Sequence, residues 1–222
     1  GVNHDGSIDK AKNLITAAKE SGADYAKFQF YNTDDLVAFK HKKAKYQFRA
    51  NDGSDSHFDM LKKYQLSYKD LKELRKFSDS EGIGFMLSAF DLKSVEMALT
   101  FKLPYYKIPS GEITNQLSLE LIGSVNQPII ISTGMSIISE IDECLSSLTN
   151  SGQDLSKVTL LHCSSEYPAY KANLNLHALT LLKERFNTSI GYSDHTKGTN
   201  TGMLSVALGA TIIEKHLSLI HI

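Results

Sequence analysis

SIGYSDHTKGTNTGMLSVALGATIIEKH, Ser189 to His216, holds a whole folding unit. A short run, Ser189–Tyr192, passes into Ser193 and His195, a helical pattern follows over Thr199–Leu208, and a second apolar run, Thr211–His216, carries Glu214 and His216. Strand, crossover helix and strand in that order point to parallel β-strands. Side chains alternate along a strand, so Ser193 shares a face with His195, and Glu214 with His216. Two neighbouring strands thus end in polar groups that can meet at one rim.

The same rhythm runs through the rest of the chain. Strand signals fall at Gly1–Asn3, Tyr25–Phe30, Gly84–Ser88, Tyr105–Ile108, Ile129–Ser132 and Val158–Cys163 before the two already quoted. Helical patterns lie between them. The one over Ser7–Ser21 has an apolar face of Ile8, Ala11, Leu14, Ile15 and Ala18 and stops at Gly22; the one from Ser67 opens with a capping box to Asp70 and ends before Gly82. Others fit Asp91–Phe101, Gln116–Val125, Ser139–Thr149 and Asn175–Phe186. Eight strand signals and seven helices predict an α/β fold, a (β/α)8 TIM barrel lacking the start of its first strand and its last helix, since about 250 residues are typical of that fold. A doubly wound open sheet is the alternative, but no glycine-rich fingerprint follows the first strand. One stretch breaks the pattern. Tyr31–Leu66 is a long insertion, basic at Lys40, Lys42, Lys43, Lys45 and Arg49 and then rich in Asn, Asp, Gly and Ser. It reads either as a functional loop or as a solvated surface.

With 24 basic and 25 acidic residues the formal charge is −1, which gives no electrostatic case for nucleic acid or an anionic membrane as partner. No stretch approaches a membrane span, the start is not a signal peptide, and Cys144 and Cys163 match no metal-ligand spacing. The expectation is a cytoplasmic protein with two reduced core cysteines.

Reactive groups of a parallel barrel come from the C-terminal ends of its strands. Here every strand signal ends in polar residues: Asn3 and His4; Lys27 and Gln29; Ser88; Lys107 and Ser110; Ser132 and Thr133; His162, Ser164, Ser165 and Tyr167; Ser193 and His195; Glu214 and His216. Two imidazoles on neighbouring strand ends suit a divalent ion acting as Lewis acid on a carbonyl oxygen. Lys27 and Lys107 among the hydroxyls of Ser88, Ser110 and Ser132 suit a small, highly charged anion such as a phosphorylated carboxylate. The plainer reading, lysines held by ion pairs inside the barrel, is weakened by how few acids lie near them in the pattern.

In order, GVNHDGS, AKFQ, YYKIPSGE, STGMS, LHCSSEYPA, GYSDHT and EKH resemble the sialic acid synthase family, which includes N-acetylneuraminate, legionaminate and pseudaminate synthases. The resemblance spans residues 1–216. It implies a (β/α)8 barrel followed by a small antifreeze-like domain, in a domain-swapped homodimer. The implied reaction condenses phosphoenolpyruvate with an N-acyl amino sugar aldehyde, N-acetylmannosamine or a 2,4-diacetamido-trideoxy hexose, to a nine-carbon 2-keto sugar acid with release of phosphate. His195 and His216 match the metal-binding histidines, normally with manganese, magnesium or cobalt being the alternatives. Lys27, Ser88, Lys107, Ser110, Ser132, Ser165 and Ser193 match the phosphoenolpyruvate pocket, Gln29 and Tyr167 the sugar contacts, and Glu214 the carboxylate beside the aldehyde.

Departures matter too. The family's Glu two positions before Gly1 is absent, as are the segment after EKH and the antifreeze-like domain, so the resemblance implies an incomplete, impaired catalytic domain over 1–216. LSLIHI, Leu217–Ile222, is foreign to the family and spells the in-frame translation of a common transposon-end sequencing adapter, which predicts a non-native tail. Two other functions fit the residues less fully: a catalytically inactive barrel that binds sugar or phosphate, and a metal-dependent hydrolase on the same fold.

Overall fold

A computed structural model describes residues 2–37 and 56–217 of the protein. The chain forms two compact units, one running to Leu103 and one beginning at Pro104. In the first, α1 (Ile8–Glu20) starts at Ser7, whose hydroxyl accepts the Lys10 amide. β1 (Tyr25–Phe30) follows, then α2 (Thr33–Leu36), α3 (His57–Tyr64), α4 (Tyr68–Glu81), β2 (Gly84–Ala89) and α5 (Leu92–Leu99). The reciprocal bonds of Ser67 and Asp70 cap α4, and Gly82 ends it at φ +68, in the left-handed region. Lys12 of α1 meets Glu73 of α4 at 2.6 Å. β1 and β2 run parallel, with Phe28 stacked on Phe85 on the face opposite Lys27 and Gln29.

Two expectations change here. Val2 and Asn3 are not in a strand, and Gly1 lies outside the described residues: Asn3–Gly6 is a turn, where the Asp5 amide donates to the Val2 carbonyl at 3.0 Å and the Ser7 amide to that of His4 at 2.8 Å. The first of these bonds takes up the Val2 carbonyl, a group that a sheet ladder would use. The insertion is not structureless at its ends either, since α2 and α3 lie within it. The Tyr31 hydroxyl donates to the Leu61 carbonyl, and Gln65 accepts from both the amide and the hydroxyl of Thr33. Its basic tract, from Lys40 to Arg49, and most of the tail, 218–222, lie outside the described residues.

The second unit repeats one pattern: β3 (Tyr106–Ile108), α6 (Gln116–Gly123), β4 (Ile129–Ser132), α7 (Ile138–Asn150), β5 (Val158–Cys163), α8 (Ala178–Phe186), β6 (Ser189–Asp194), α9 (Asn200–Ala207) and β7 (Ile212–Lys215). Each strand pairs in parallel with the next in chain order. That order never reverses, as it would at the switch point of a doubly wound sheet, so this unit has barrel-like succession. Ile129, Ile131, Val158, Leu160, Ile190 and Tyr192 form the buried helix-side face. Burial on both faces explains why β4 reads as an unbroken apolar run. Among the described residues no helix is long and apolar enough to cross a membrane.

Candidate functional site

Register decides which groups share a face in the second unit. Lys107 is level with Ile130 and Thr159, Ser132 with Leu161 and Gly191, and Cys163 with Ser193 and Glu214. Directly opposed residues of parallel strands point the same way, so Lys107, Ser132, Cys163, Ser193 and Glu214 line one face, opposite the isoleucine layer. His162 belongs to the other face. Its Nε2 lies 2.6 Å from the Leu174 carbonyl, its ring is 5.8 Å from that of Tyr192, and burial lowers its pKa, so it takes no part in the row.

A connected polar chain runs along that row. Lys107 Nζ donates to Ser132 Oγ at 2.7 Å and to the Ile108 carbonyl at 2.9 Å, and lies 3.9 Å from Glu214 Oε2. Glu214 Oε1 accepts from Ser193 Oγ at 2.8 Å. The Lys107 side chain is only 2% exposed, and an ammonium so placed needs a compensating charge. The acid that sequence spacing did not supply is therefore Glu214, brought over by the sheet from the far end of the chain.

Beside this chain sits a cradle. The Gly134 amide donates to Ser110 Oγ at 3.0 Å, and a Cβ on Gly134 would stand 2.5 Å from Ser165 Oγ, 3.0 Å from Ser110 Oγ and 3.3 Å from Cys163 Sγ. Ser110 and Ser165, predicted to contact substrate, are thus neighbours across a glycine. Cys163 proves to be less bland than its expected place in an apolar core. Burial raises its pKa, an effect that the neighbouring Ser193 and Ser110 oppose, and its sulfur lies 3.8 Å from His195 Nδ1. Parity carries it there: two residues beyond Leu161, it must face the same side.

At the strand ends the aromatic rings converge. His195 stacks on Tyr167 with centroids 4.0 Å apart, His195 and His216 are 5.0 Å apart at 63°, and Tyr167 meets His216 edge-on at 5.2 Å. His195 Nδ1 donates to the Ser164 carbonyl at 2.6 Å, which fixes its tautomer and leaves the Nε2 lone pair directed elsewhere, 3.3 Å from Ser193 Oγ. Two imidazoles at this spacing, one with its tautomer fixed by a carbonyl, form a donor set that fits a divalent ion. Among the described residues no cluster of three or more His, Cys, Asp or Glu side chains is disposed to hold a metal. Such an ion would take two ligands from this pair and the remainder from substrate or water.

Lys27, Gln29 and Ser88 belong to the first unit. Gln29 and Ser88 are register partners, Lys27 pairs with Met86, and all share the face opposite Phe28. Ser88 is 1% exposed, and its hydroxyl has no hydrogen-bond partner among the described residues. In the same unit His4 is buried at 1% exposure and accepts the Gly6 amide at Nδ1, and burial holds its pKa down at about 4.

The NeuB family model matches residues 14–221. The chain is 43% identical over 219 residues to the N,N'-diacetyllegionaminic acid synthase of Campylobacter jejuni subsp. jejuni, covering 99% of this chain and 66% of that one. It is 42% identical over 221 residues to the synthase of the same name from Legionella pneumophila subsp. pneumophila, covering 99% and 62%. The crystal structure of the N-acetylneuraminic acid (sialic acid) synthetase from Leptospira borgpetersenii serovar Hardjo-bovis in complex with citrate superposes with a TM-score of 0.85 at 30% identity, over 99% of this chain and 71% of that one. A truncated 3-deoxy-D-arabino-heptulosonate 7-phosphate synthase from Thermotoga maritima, at TM-score 0.62 and 17% identity, shares the fold. The chain spans 66% and 62% of the two curated relatives named here. With nearly its whole length matched, the chain belongs to the NeuB family.

Proposed function

We propose that this chain carries the centre of a synthase that joins phosphoenolpyruvate to an N-acyl amino sugar aldehyde. The observation that carries the reading is the bonded series Lys107–Ser132 and Ser193–Glu214, closed by the 3.9 Å approach of Lys107 to Glu214 and ending beside the His195–His216 pair. Ammonium and hydroxyl donors fixed in a buried row hold an anion without reorganising, the condition for stabilising charge that develops during reaction. The Ser110–Gly134–Ser165 cradle supplies more donors at close range.

In the reaction, the enol carbon of phosphoenolpyruvate bonds to the aldehyde carbon, the aldehyde oxygen takes a proton, and positive charge develops on the carbon bearing the phosphate ester. Water adds there, and departure of inorganic phosphate leaves the 2-keto acid. Lys107 with Ser132 holds the anionic substrate. Glu214, oriented by Ser193, holds or moves the proton at the aldehyde oxygen. Tyr167 packs against the sugar. A divalent metal on His195 and His216, manganese first, would supply Lewis-acid polarisation of the aldehyde. Holding two substrates in line provides much of the acceleration.

The sugar to try first is the 2,4-diacetamido-trideoxy hexose, because the relatives at 43% and 42% identity are diacetyllegionaminic acid synthases while the pseudaminic acid synthases stand at 34% and the human N-acetylneuraminate-9-phosphate synthase at 29%. The test is phosphate release from phosphoenolpyruvate by the complete gene product with manganese and either sugar. Release with neither sugar would sink the proposal. His195→Ala and His216→Ala should each abolish manganese binding in calorimetry; normal binding by either would remove the metal assignment.

A further inference from the structure

Behind the row of substrate-facing groups, β6 and β7 carry a second pair on the opposite side of the sheet. Asp194 and Lys215 are register partners, one position beyond Ser193 and Glu214, and their side chains meet at 2.9 Å. Asp194 is 1% exposed and the Lys215 side chain 33%. The second carboxylate oxygen of Asp194 accepts from the Thr196 amide at 2.9 Å and from its hydroxyl at 2.7 Å. Lys215 Nζ donates a further bond to the Thr196 carbonyl at 2.5 Å. The Thr196 hydroxyl also lies 3.2 Å from that of Thr201 on α9.

His195 is the residue enclosed by the Asp194–Thr196 turn, and His216 is the residue that follows Lys215. A buried carboxylate persists only when charge and hydrogen bonds satisfy it, and these bonds all converge on the backbone that presents the two imidazoles. If the position only had to be filled, an apolar residue like those elsewhere on this face would do so without a desolvation cost. Asp194 and Lys215 lie on the face opposite Ser193 and Glu214, so a positioning influence on the histidines passes through the backbone.

We propose that Asp194, Lys215 and Thr196 form a positioning unit that sets the spacing and orientation of the His195 and His216 rings, and through them the affinity for a divalent ion. The proposal rests on the reading of that pair as the metal anchor. Residues that orient metal ligands from behind typically change metal affinity by about 10–100-fold when removed.

The test uses the complete gene product with Asp194→Asn, Lys215→Met, Lys215→Arg and Thr196→Val. Manganese affinity is read by calorimetry, and the His195 tautomer by long-range proton–nitrogen spectra of the metal-free protein. Asp194→Asn and Lys215→Met should weaken manganese binding by about 10–100-fold and mix the His195 tautomers, while Lys215→Arg stays within about threefold of the parent. Should Asp194→Asn fail to fold, Lys215→Met and Thr196→Val carry the same comparison from less buried or uncharged positions. Variants that fold, bind manganese like the parent and keep a single His195 tautomer would overturn the proposal. If the parent binds no manganese, or His195→Ala binds it normally, the metal assignment fails instead. The metal-free tautomer then decides the positioning role alone: mixing in Lys215→Met sustains it, and an unchanged spectrum ends it.

Discussion

Replacing Gly134 by alanine puts a methyl group where three polar atoms already stand, at 2.5 Å from Ser165 Oγ, 3.0 Å from Ser110 Oγ and 3.3 Å from Cys163 Sγ. The closest of these distances is far inside ordinary van der Waals contact, so a serine rotamer or the strand end must move. Overpacking of this kind typically costs about 1–3 kcal/mol. Rotation of Ser110 would also break its 3.0 Å bond from the Gly134 amide, a further loss of about 0.5–1.5 kcal/mol. A destabilisation of about 2–3 kcal/mol follows, equivalent to a melting point lower by roughly 4–12 °C in a chain of this size. The informative assay is a double-mutant cycle in thermal or urea unfolding with Ser165→Ala. Removing the nearest oxygen should recover about half of the loss, because the two substitutions act on one contact. A Gly134→Ala protein as stable as its parent, or a double mutant no more stable than Gly134→Ala, would refute the idea that these hydroxyls close over the glycine.

Three further outcomes are open to measurement. His4, held near 4 by burial, binds its proton more weakly folded than unfolded, so its stabilising contribution is present above pH 6.5 and is lost as pH falls toward 4. The loss amounts to on the order of 3 kcal/mol, and His4→Asn should flatten urea-unfolding stability between pH 7.5 and 4.5; parallel pH profiles would show that His4 is not responsible. Burial pushes the Cys144 thiol up to about 12 and raises that of Cys163, so both should label slowly with a disulfide reagent in the native protein and rapidly in denaturant. Labelling of either at a free-peptide rate in native buffer would contradict the burial. Glu214→Gln keeps an acceptor for Ser193 but removes a negative charge 3.9 Å from the buried Lys107, and should cost on the order of 1–3 kcal/mol as well as phosphate release. Lys107→Met in the same protein should restore stability without restoring activity; additive losses would deny the coupling.

The strands were legible from their patterns: Ile129–Ser132 and most of Val158–Cys163 are apolar runs buried on both faces, Tyr25–Phe30 alternates apolar and polar, and all three stand where the pattern put them. The two-residue repeat likewise brought Ser193, His195, Glu214 and His216 to neighbouring strand ends. What stayed hidden needed distances that a linear pattern does not contain. Lys107 finds Glu214 only after four further strands have been laid side by side, so the scarcity of local acids misled. Nothing in the run STGMS shows that Ser110 and Ser165 close on Gly134. In the insertion, α2 is too short to show a helical period, and α3 is announced mainly by the Ser56–Asp59 bond at its start. At the expected first strand, Val2 and Asn3 lead into a turn instead, the Val2 carbonyl accepting from the Asp5 amide.

β7 shows how fold and chemistry constrain each other. Ile212 and Ile213 are identical and adjacent, so the apolar pattern of the strand IIEK leaves two registers nearly equal, one residue apart. The charges separate them. In the observed register Glu214 faces the side of Lys107 while Lys215 meets Asp194 behind the sheet. A slip of one residue would turn Lys215 toward Lys107 and Glu214 toward Asp194, setting two like-charged pairs in a buried setting where each is costly. The charges that the proposed reaction uses therefore also select the strand register. A substitution that neutralises one of them weakens the specification of the fold together with the reaction.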